Sequence, residues 1–493
     1  MTEMDPIQRE QQLSTGIPGL DTVLCGGFNR GRTYMAMGAP GAGKTIFANQ
    51  VGFHRARQGE RVLYVTLLAE SHTDLVANLH SLSFFDPSLV PDTVTYLSAF
   101  TVLEEGGLES LLELIRKEVR LRGATFLVLD GLLAAEEAAP TPQVLKKFIH
   151  SLQVVTGIMG CTTLVLTTSH GAGLRAEHTM VDGLLLLKQR SFGVRTVREL
   201  SVRKFRGGPH LLGRHGFEIT RDGLCVFPRL ETLLQADQAT TEPNGAVRRA
   251  FGIAGLDVVM RGGVPSGSTT LLFGPPGGGK TLLGMHFLAQ GARQGERGHY
   301  FSFYDSPQRM HDQSAGVGLH LGALLKSGEL EVSYHPPTEN VLDKLGAQLM
   351  AIIRERGVKR LFIDGYEALR KAAVRRSRMA PFLAALVNEC RAHGVTMLLS
   401  VESRAAFGPE VLFPIQGLSM TTENIIYLRS VELNGALRRM LCVLKMRNSG
   451  YDPSLRELLI SDQGVDVGAK FEDAQRLITG VALQPSRQKR RGD

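Results

Sequence analysis

Short apolar runs recur along this chain, separated by longer stretches with the spacing of amphipathic helices. In the first half they fall at residues 34–37, 61–66, 125–130 and 162–168, and in the second at 269–273, 300–303, 360–364 and 396–401. Most are apolar continuously rather than alternately, which predicts strands covered on both faces. Buried strands alternating with helices predict an α/β fold, a mostly parallel sheet flanked by helices. Such a sheet binds ligands at the carboxyl ends of its strands. Two of the runs end there in an acid, Asp130 and Asp364.

The halves repeat one another. Gly16-Ile17-Pro18-Gly19-Leu20-Asp21 returns as Gly252-Ile253-Ala254-Gly255-Leu256-Asp257, Gly26-Gly27 as Gly262-Gly263, and RQGER at 57–61 as RQGER at 293–297. All keep one offset, so one fold is expected twice. The polar stretch QADQATTEPN at 235–244 reads as the joint. The expected organisation is a first domain over 1–234, a linker over 235–246, a second domain over 247–470 and a basic tail over 471–493.

Candidate chemistry sharpens this picture. GAPGAGKT at 38–45 and GPPGGGKT at 274–281 both fit G-x-x-x-x-G-K-[ST], each between a strand and a helix. Glycines let the backbone curl so that successive N–H groups face phosphate oxygens, and the following helix adds the charge of its N-terminus. The nucleotide-binding residues are then Gly38, Gly41, Ala42, Gly43, Lys44, Thr45 and Ile46, with Gly274, Gly277, Gly278, Gly279, Lys280, Thr281 and Leu282. Lys44 and Lys280 would reach the β- and γ-phosphates. Thr45 with Asp130, and Thr281 with Asp364, would hold Mg²⁺. Two matches in equivalent places leave little room for chance and predict two sites for ATP and Mg²⁺.

Further carboxylates are expected at the end of the neighbouring strand, where Glu70 and Asp305 are candidates to orient water against a γ-phosphate. The alternative, a loop acid or cap, stays open because Ser71 and Ser306-Pro307 follow. Near the end of each half stands K-x-R, Lys204 with Arg206 and Lys445 with Arg447. Lysine and arginine together suit a triphosphate, and an arginine supplied by a neighbouring subunit accelerates hydrolysis. The competing reading is a solvated edge strand.

Composition adds less. The formal net charge of +8 is a mild excess without a concentrated stripe, which argues against nucleic acid as partner. The basic run Arg370 to Arg378 reads as a solvated helix face, with a partner or nucleic-acid patch as the alternative. Five scattered cysteines, without metal-ligand spacing, suit a reducing cytoplasm. No apolar run reaches membrane-spanning length.

These motifs resemble the KaiC family of double-domain RecA-like ATPases, which includes the circadian-clock ATPase and kinase. The resemblance is carried by STGIPGLD at 14–21, Gly26-Gly27, both phosphate loops, both Asp-ending strands, KFRG at 204–207, Lys445-Met446-Arg447 and ELLISDQGVDVG at 457–468. It implies two tandem RecA-like P-loop NTPase domains, a cytoplasmic homo-hexamer with ATP between neighbours, and protein partners in signalling. It also implies that Lys204, Arg206, Lys445 and Arg447 approach the adjacent subunit's nucleotide. The family carries paired acids after the second strand, the first acting as base; here the pairs read Ala69-Glu70 and Tyr304-Asp305. The clock protein autophosphorylates an adjacent Ser-Thr pair, and the matching positions are Ser419 and Met420, followed by Thr421 and Thr422.

The leading expectation is a hexameric ATPase regulator with Ser/Thr autokinase activity. A RecA- or DnaB-like DNA-dependent ATPase, and an assembly switch that binds ATP without hydrolysing it, are the alternatives. Two separate loops make one outcome specific: Lys44→Ala and Lys280→Ala each remove nucleotide binding at one site and spare the other. Binding stoichiometry on the two single variants checks this; loss of both sites from one substitution, or of neither, refutes it.

Overall fold

The computed structural model describes residues 12–68, 72–168, 180–233, 244–403, 422–433, 436–447 and 449–471. Two units divide the chain, Met1–Gln235 and Ala236–Asp493. Each is built on a nine-stranded sheet. In the first unit the strands are β1 (Thr33–Gly38), β2 (Val62–Thr66), β3 (Val94–Ser98), β4 (Phe126–Asp130), β5 (Thr162–Thr167), β6 (Gly183–Phe192), β7 (Arg195–Phe205), β8 (His215–Thr220) and β9 (Gly223–Phe227). The second unit continues with β10 (Thr269–Gly274), β11 (Gly298–Ser302), β12 (Leu330–Tyr334), β13 (Arg360–Asp364), β14 (Thr396–Glu402), β15 (Asn424–Leu433), β16 (Ala436–Met446), β17 (Arg456–Ser461) and β18 (Gly464–Lys470).

The spatial order is β3-β2-β4-β5-β1-β6-β7-β8-β9 in one unit and β12-β11-β13-β14-β10-β15-β16-β17-β18 in the other, the same path twice. From β3 to β6, and from β12 to β15, neighbours run parallel. The rest of each sheet is an antiparallel meander. The apolar runs therefore mark four of the six parallel strands in each sheet, all but β3 and β6 in one and β12 and β15 in the other, and this RecA-like core is the expected mostly parallel α/β sheet. The meander strands carry charge, as in β7 (RTVRELSVRKF), and so lack the continuous apolar signature.

Alternation along each parallel strand splits the core into two layers. In β4, Phe126 and Val128 pack with Phe47, Ala48 and Val51 of α1 (Lys44–Arg57). Leu127 and Leu129 face the opposite layer, with Leu111 and Ile115 of α2 (Phe100–Arg122) and Phe148 and Ile149 of α3 (Pro142–Ile158). Asp130 is two residues beyond Val128, so alternation turns it toward α1 and the phosphate loop. In the second unit Phe362 of β13 packs with Leu283 and Phe287 of α4 (Lys280–Arg293). No helix among the described residues is long and apolar enough to cross a membrane.

The repeats solve one internal problem by different means. Glu60 and Glu296 hold equivalent places, and each needs a cation. In the first unit Arg55 of α1 donates to Glu60 at 2.6 Å and to the Ser14 carbonyl. In the second, Gly291 stands at the Arg55 position and the arginine comes from the sheet. Arg360, fully buried, donates to Glu296 at 2.7 Å and to the Ala250 carbonyl at 2.6 Å, beside the Phe287 ring. A Cβ on Gly291 would lie 2.3 Å from the Arg360 Cδ, so the glycine makes room for the relocated cation. Phe126 fills the corresponding strand position in the first unit.

A buried carboxylate that loses such a partner costs roughly 3–5 kcal/mol. Glu296 is partly buried and keeps Arg249, so Arg360→Met should destabilise the second unit by up to about that amount. Urea unfolding followed by far-UV circular dichroism reads the effect, the chain having no tryptophan. An unchanged midpoint would show that Arg249, which also pairs with Glu296, suffices.

Candidate nucleotide sites

Each phosphate loop joins the end of a central strand to a buried helix. Gly43 and Gly279, the residues before the lysines, cap α1 and α4 with φ of 96° and 98°. Those left-handed conformations strain any residue with a Cβ, and a Cβ at Gly43 would also meet the Ile219 side chain at 2.5 Å. At Gly41 and Gly277 a Cβ would find no atom within 4 Å. The loop tip thus has open space beside it, room that a bound phosphate needs.

The loop lysines fold back over their own loops. Lys44 Nζ donates to the carbonyls of Gly38 at 2.8 Å and Ala39 at 3.1 Å. Lys280 Nζ donates to Gly274 at 2.9 Å and Pro275 at 2.8 Å. Burial lowers both ammonium pKa values, opposed by Asp130 at Lys44 and by Glu402 and Asp364 at Lys280.

Thr45 Oγ1 donates to Asp130 at 3.3 Å and Thr281 Oγ1 to Asp364 at 2.8 Å. The sequence-predicted metal residues therefore meet in both units. A hydroxyl and a carboxylate on converging elements fit Mg²⁺, which keeps several waters and takes few protein oxygens. Among the described residues there is no cluster of three or more His, Cys, Asp or Glu that would form a dedicated cage.

A tyrosine completes each pair. Tyr64 on β2 donates to Asp130 at 2.6 Å and Tyr300 on β11 to Asp364 at 2.9 Å. Burial, then the adjacent aspartate, pushes both phenols far up, so they stay protonated donors. Sequence reading missed them, although both keep the offset of the repeat. In the second unit Ser400 of β14 also donates to Asp364, where the first unit has Leu166.

Asp305 is buried beside this network. Its oxygens take Gln313 Nε2 and Arg309 Nε, each at 3.3 Å, and Tyr300 OH at 3.5 Å. Burial and then Asp364 raise its pKa, while Arg309 opposes them. Tyr304 is exposed. Burial pushes its phenol up to about 12, helped by Glu402 and Asp364. Glu70 and Ser419 lie outside the described residues.

The K-x-R triplets sit elsewhere. Strands β7 and β16 end at Phe205 and Met446, so Arg206 and Arg447 come one residue later, their amides donating to the Asp182 and Glu423 carbonyls. Phe205 pairs with Gly183, which pairs with Tyr34 at the start of β1; Lys445 pairs with Ile425 and Met446 with Asn424, which pairs with Thr270. The triplets therefore mark the amino end of the parallel strands, opposite the phosphate loop of the same unit. A strand of that length spans roughly 17–20 Å. Register to β8 covers only Arg198 to Leu200 of β7, so the strand's last residues pair on one side alone. By contrast, Arg439 of β16 does reach its own loop, donating from Nε to the Gly277 carbonyl at 3.3 Å.

Comparison with known proteins agrees with this arrangement. A family model described as ATPase: KaiC matches residues 13–231 and again 250–472, one match for each repeat. The chain is similar to a circadian clock oscillator protein KaiC of Picosynechococcus sp., 27% identical over 96% of this chain and 93% of the relative. It is likewise similar to KaiC 1 of Synechocystis sp., 27% identical over 96% and 92%, and to that organism's circadian clock protein KaiC3, 26% identical over 96% and 95%. With a match over each half, and two RecA-like sheets each presenting a P-loop to an aspartate, this chain belongs to the KaiC family of ATPases.

Proposed function

We propose that the protein is a KaiC-like regulator that binds and hydrolyses ATP with Mg²⁺ in both units and assembles as a ring of six chains. One observation carries this reading: each K-x-R lies at the end of the sheet away from its own phosphate loop. Lys204 with Arg206, and Lys445 with Arg447, therefore meet a triphosphate only when a second chain brings one. The adjoining chain's loop supplies the amide cradle and its lysine, Thr45 with Asp130 or Thr281 with Asp364 holds the metal, and the incoming arginine neutralises developing charge. Mg²⁺ itself would supply Lewis-acid stabilisation of the phosphate oxygens. Glu70 and Asp305 add the carboxylates of the hydrolytic apparatus, Asp305 being fixed by Arg309 and Gln313. The relatives' names place them in circadian timing, and a cytoplasmic regulatory role in bacterial signalling or timing, with protein partners, follows for this chain.

Light scattering with ATP and Mg²⁺ should give six times the 53.7 kDa chain mass. Arg206→Ala should lower first-site turnover, where such arginines contribute roughly 10³–10⁵ in rate. A monomer under those conditions overturns the assembly.

The autokinase part of the reading rests on the Ser-Thr pair of the family, matched here by Ser419 and Met420. Incubation with ATP should place phosphate within residues 417–427, Ser419 first, as read by mass spectrometry. Active hydrolysis with no modified peptide there leaves an ATPase without this kinase cycle.

A further inference from the structure

Resting on the ATPase function proposed above, we infer that Glu402 is the carboxylate that holds the attacking water in the second site. Glu402 ends β14, the strand beside the phosphate-loop strand, and lies opposite Gly274 in parallel register. Paired strands lie about 4.8 Å apart, so its backbone stands next to the first glycine of the loop. The next residue ties the chain there, Ser403 N–H donating to the Gly274 carbonyl at 3.1 Å. Leu398 packs in the layer containing α4, and Ser400 bonds Asp364 from that same face. Alternation turns Glu402, two residues further, to that face as well, over the phosphate loop.

The surroundings favour a reactive role. The Glu402 side chain makes no hydrogen bond or ion pair among the described residues, whereas both oxygens of Asp305 already have partners. Of the carboxylates around Lys280 and Tyr304, Glu402 acts most strongly on each, ahead of Asp364. Tyr304 follows β11, beyond β13 from β14, and its ring lies against Gly365, where a Cβ would come within 2.9 Å. The first site has Thr168 at the Glu402 position, so the feature belongs to the second unit alone. Asp305 then serves the metal end through Tyr300 and Asp364, and Glu402 the water end.

The step balances. The water oxygen attacks the γ-phosphorus as its bond to the bridging oxygen breaks, and ADP leaves with that electron pair. The proton lost by the water passes to the Glu402 carboxylate and then to solvent, leaving ADP, phosphate and one proton.

The test uses the full-length chain carrying Lys44→Ala, so that turnover reports the second site. In this background Glu402→Gln should lower kcat about 10²-fold, the usual scale for a positioned base. ATP binding should be unchanged or tighter, because a negative charge beside the triphosphate is gone. Wild-type kcat, or a change confined to KM, overturns the inference. If Glu402→Gln does not fold, Glu402→Asp carries the same test: charge kept, reach shortened, kcat down at least tenfold, with full turnover refuting the role. Lys280→Ala on the same background separates the two claims. If it abolishes turnover while Glu402→Gln does not, the ATPase reading stands and the Glu402 assignment falls; if it leaves turnover intact, the ATPase reading of this site falls.

Discussion

Both sites depend on the closeness of a loop hydroxyl to a strand-end carboxylate. The Thr281–Asp364 contact of 2.8 Å depends on β10 and β13 being parallel and separated by one strand, with Asp364 level with Leu272, two residues before β10 ends at Gly274. A register slip of one residue on either strand would turn one partner to the opposite face. The continuous apolar filling of β4, β5, β13 and β14 fixes that register from both layers. Tyr64 and Tyr300 reinforce it as protonated donors whose burial prevents them from adding negative charge beside the aspartates. The catalytic geometry is thus a property of the core, and the loop glycines fit themselves to it.

Much of this was legible in the residues. Parallel strands announce themselves because burial on both faces demands unbroken apolarity, and Arg360–Asp364 was bounded to the residue. The phosphate loops and their aspartates follow from motif and spacing. The meander did not show, because strands such as β7 mix arginine and glutamate with apolar positions. Tyr64 and Tyr300 were hidden as two more aromatic residues in buried strands; only the repeat offset singles them out. Glu402 was obscured for the opposite reason, since Thr168 breaks the match between halves. The location of the K-x-R triplets needed topology, because an antiparallel turn after β6 and β15 reverses which end of the sheet a given residue reaches.

The Arg55 and Arg360 arrangements show how far two copies of one fold drift while keeping a function of the core. A cation under the conserved glutamate is retained, but its origin moves from helix to sheet, with Gly291 and Phe126 adjusting the volume. Such paired changes preserve packing density where a single change would leave a clash or an unpaired charge. The second unit has a different set of side chains at its site, Ser400, Tyr304 and Glu402, around a loop of the same motif.

The separation between phosphate loop and K-x-R has a geometric corollary. A unit that offers a cradle at one end of its sheet and a basic pair at the other is polar in the directional sense. A two-fold pair joins these two ends in both members only if both lie on one self-complementary patch. The ring proposed above would use a head-to-tail contact, in which each chain is a donor toward one neighbour and an acceptor toward the other. In such a series a defect would be inherited in one direction only: a chain without its arginine would impair the site it faces, while its own cradle would remain served from behind.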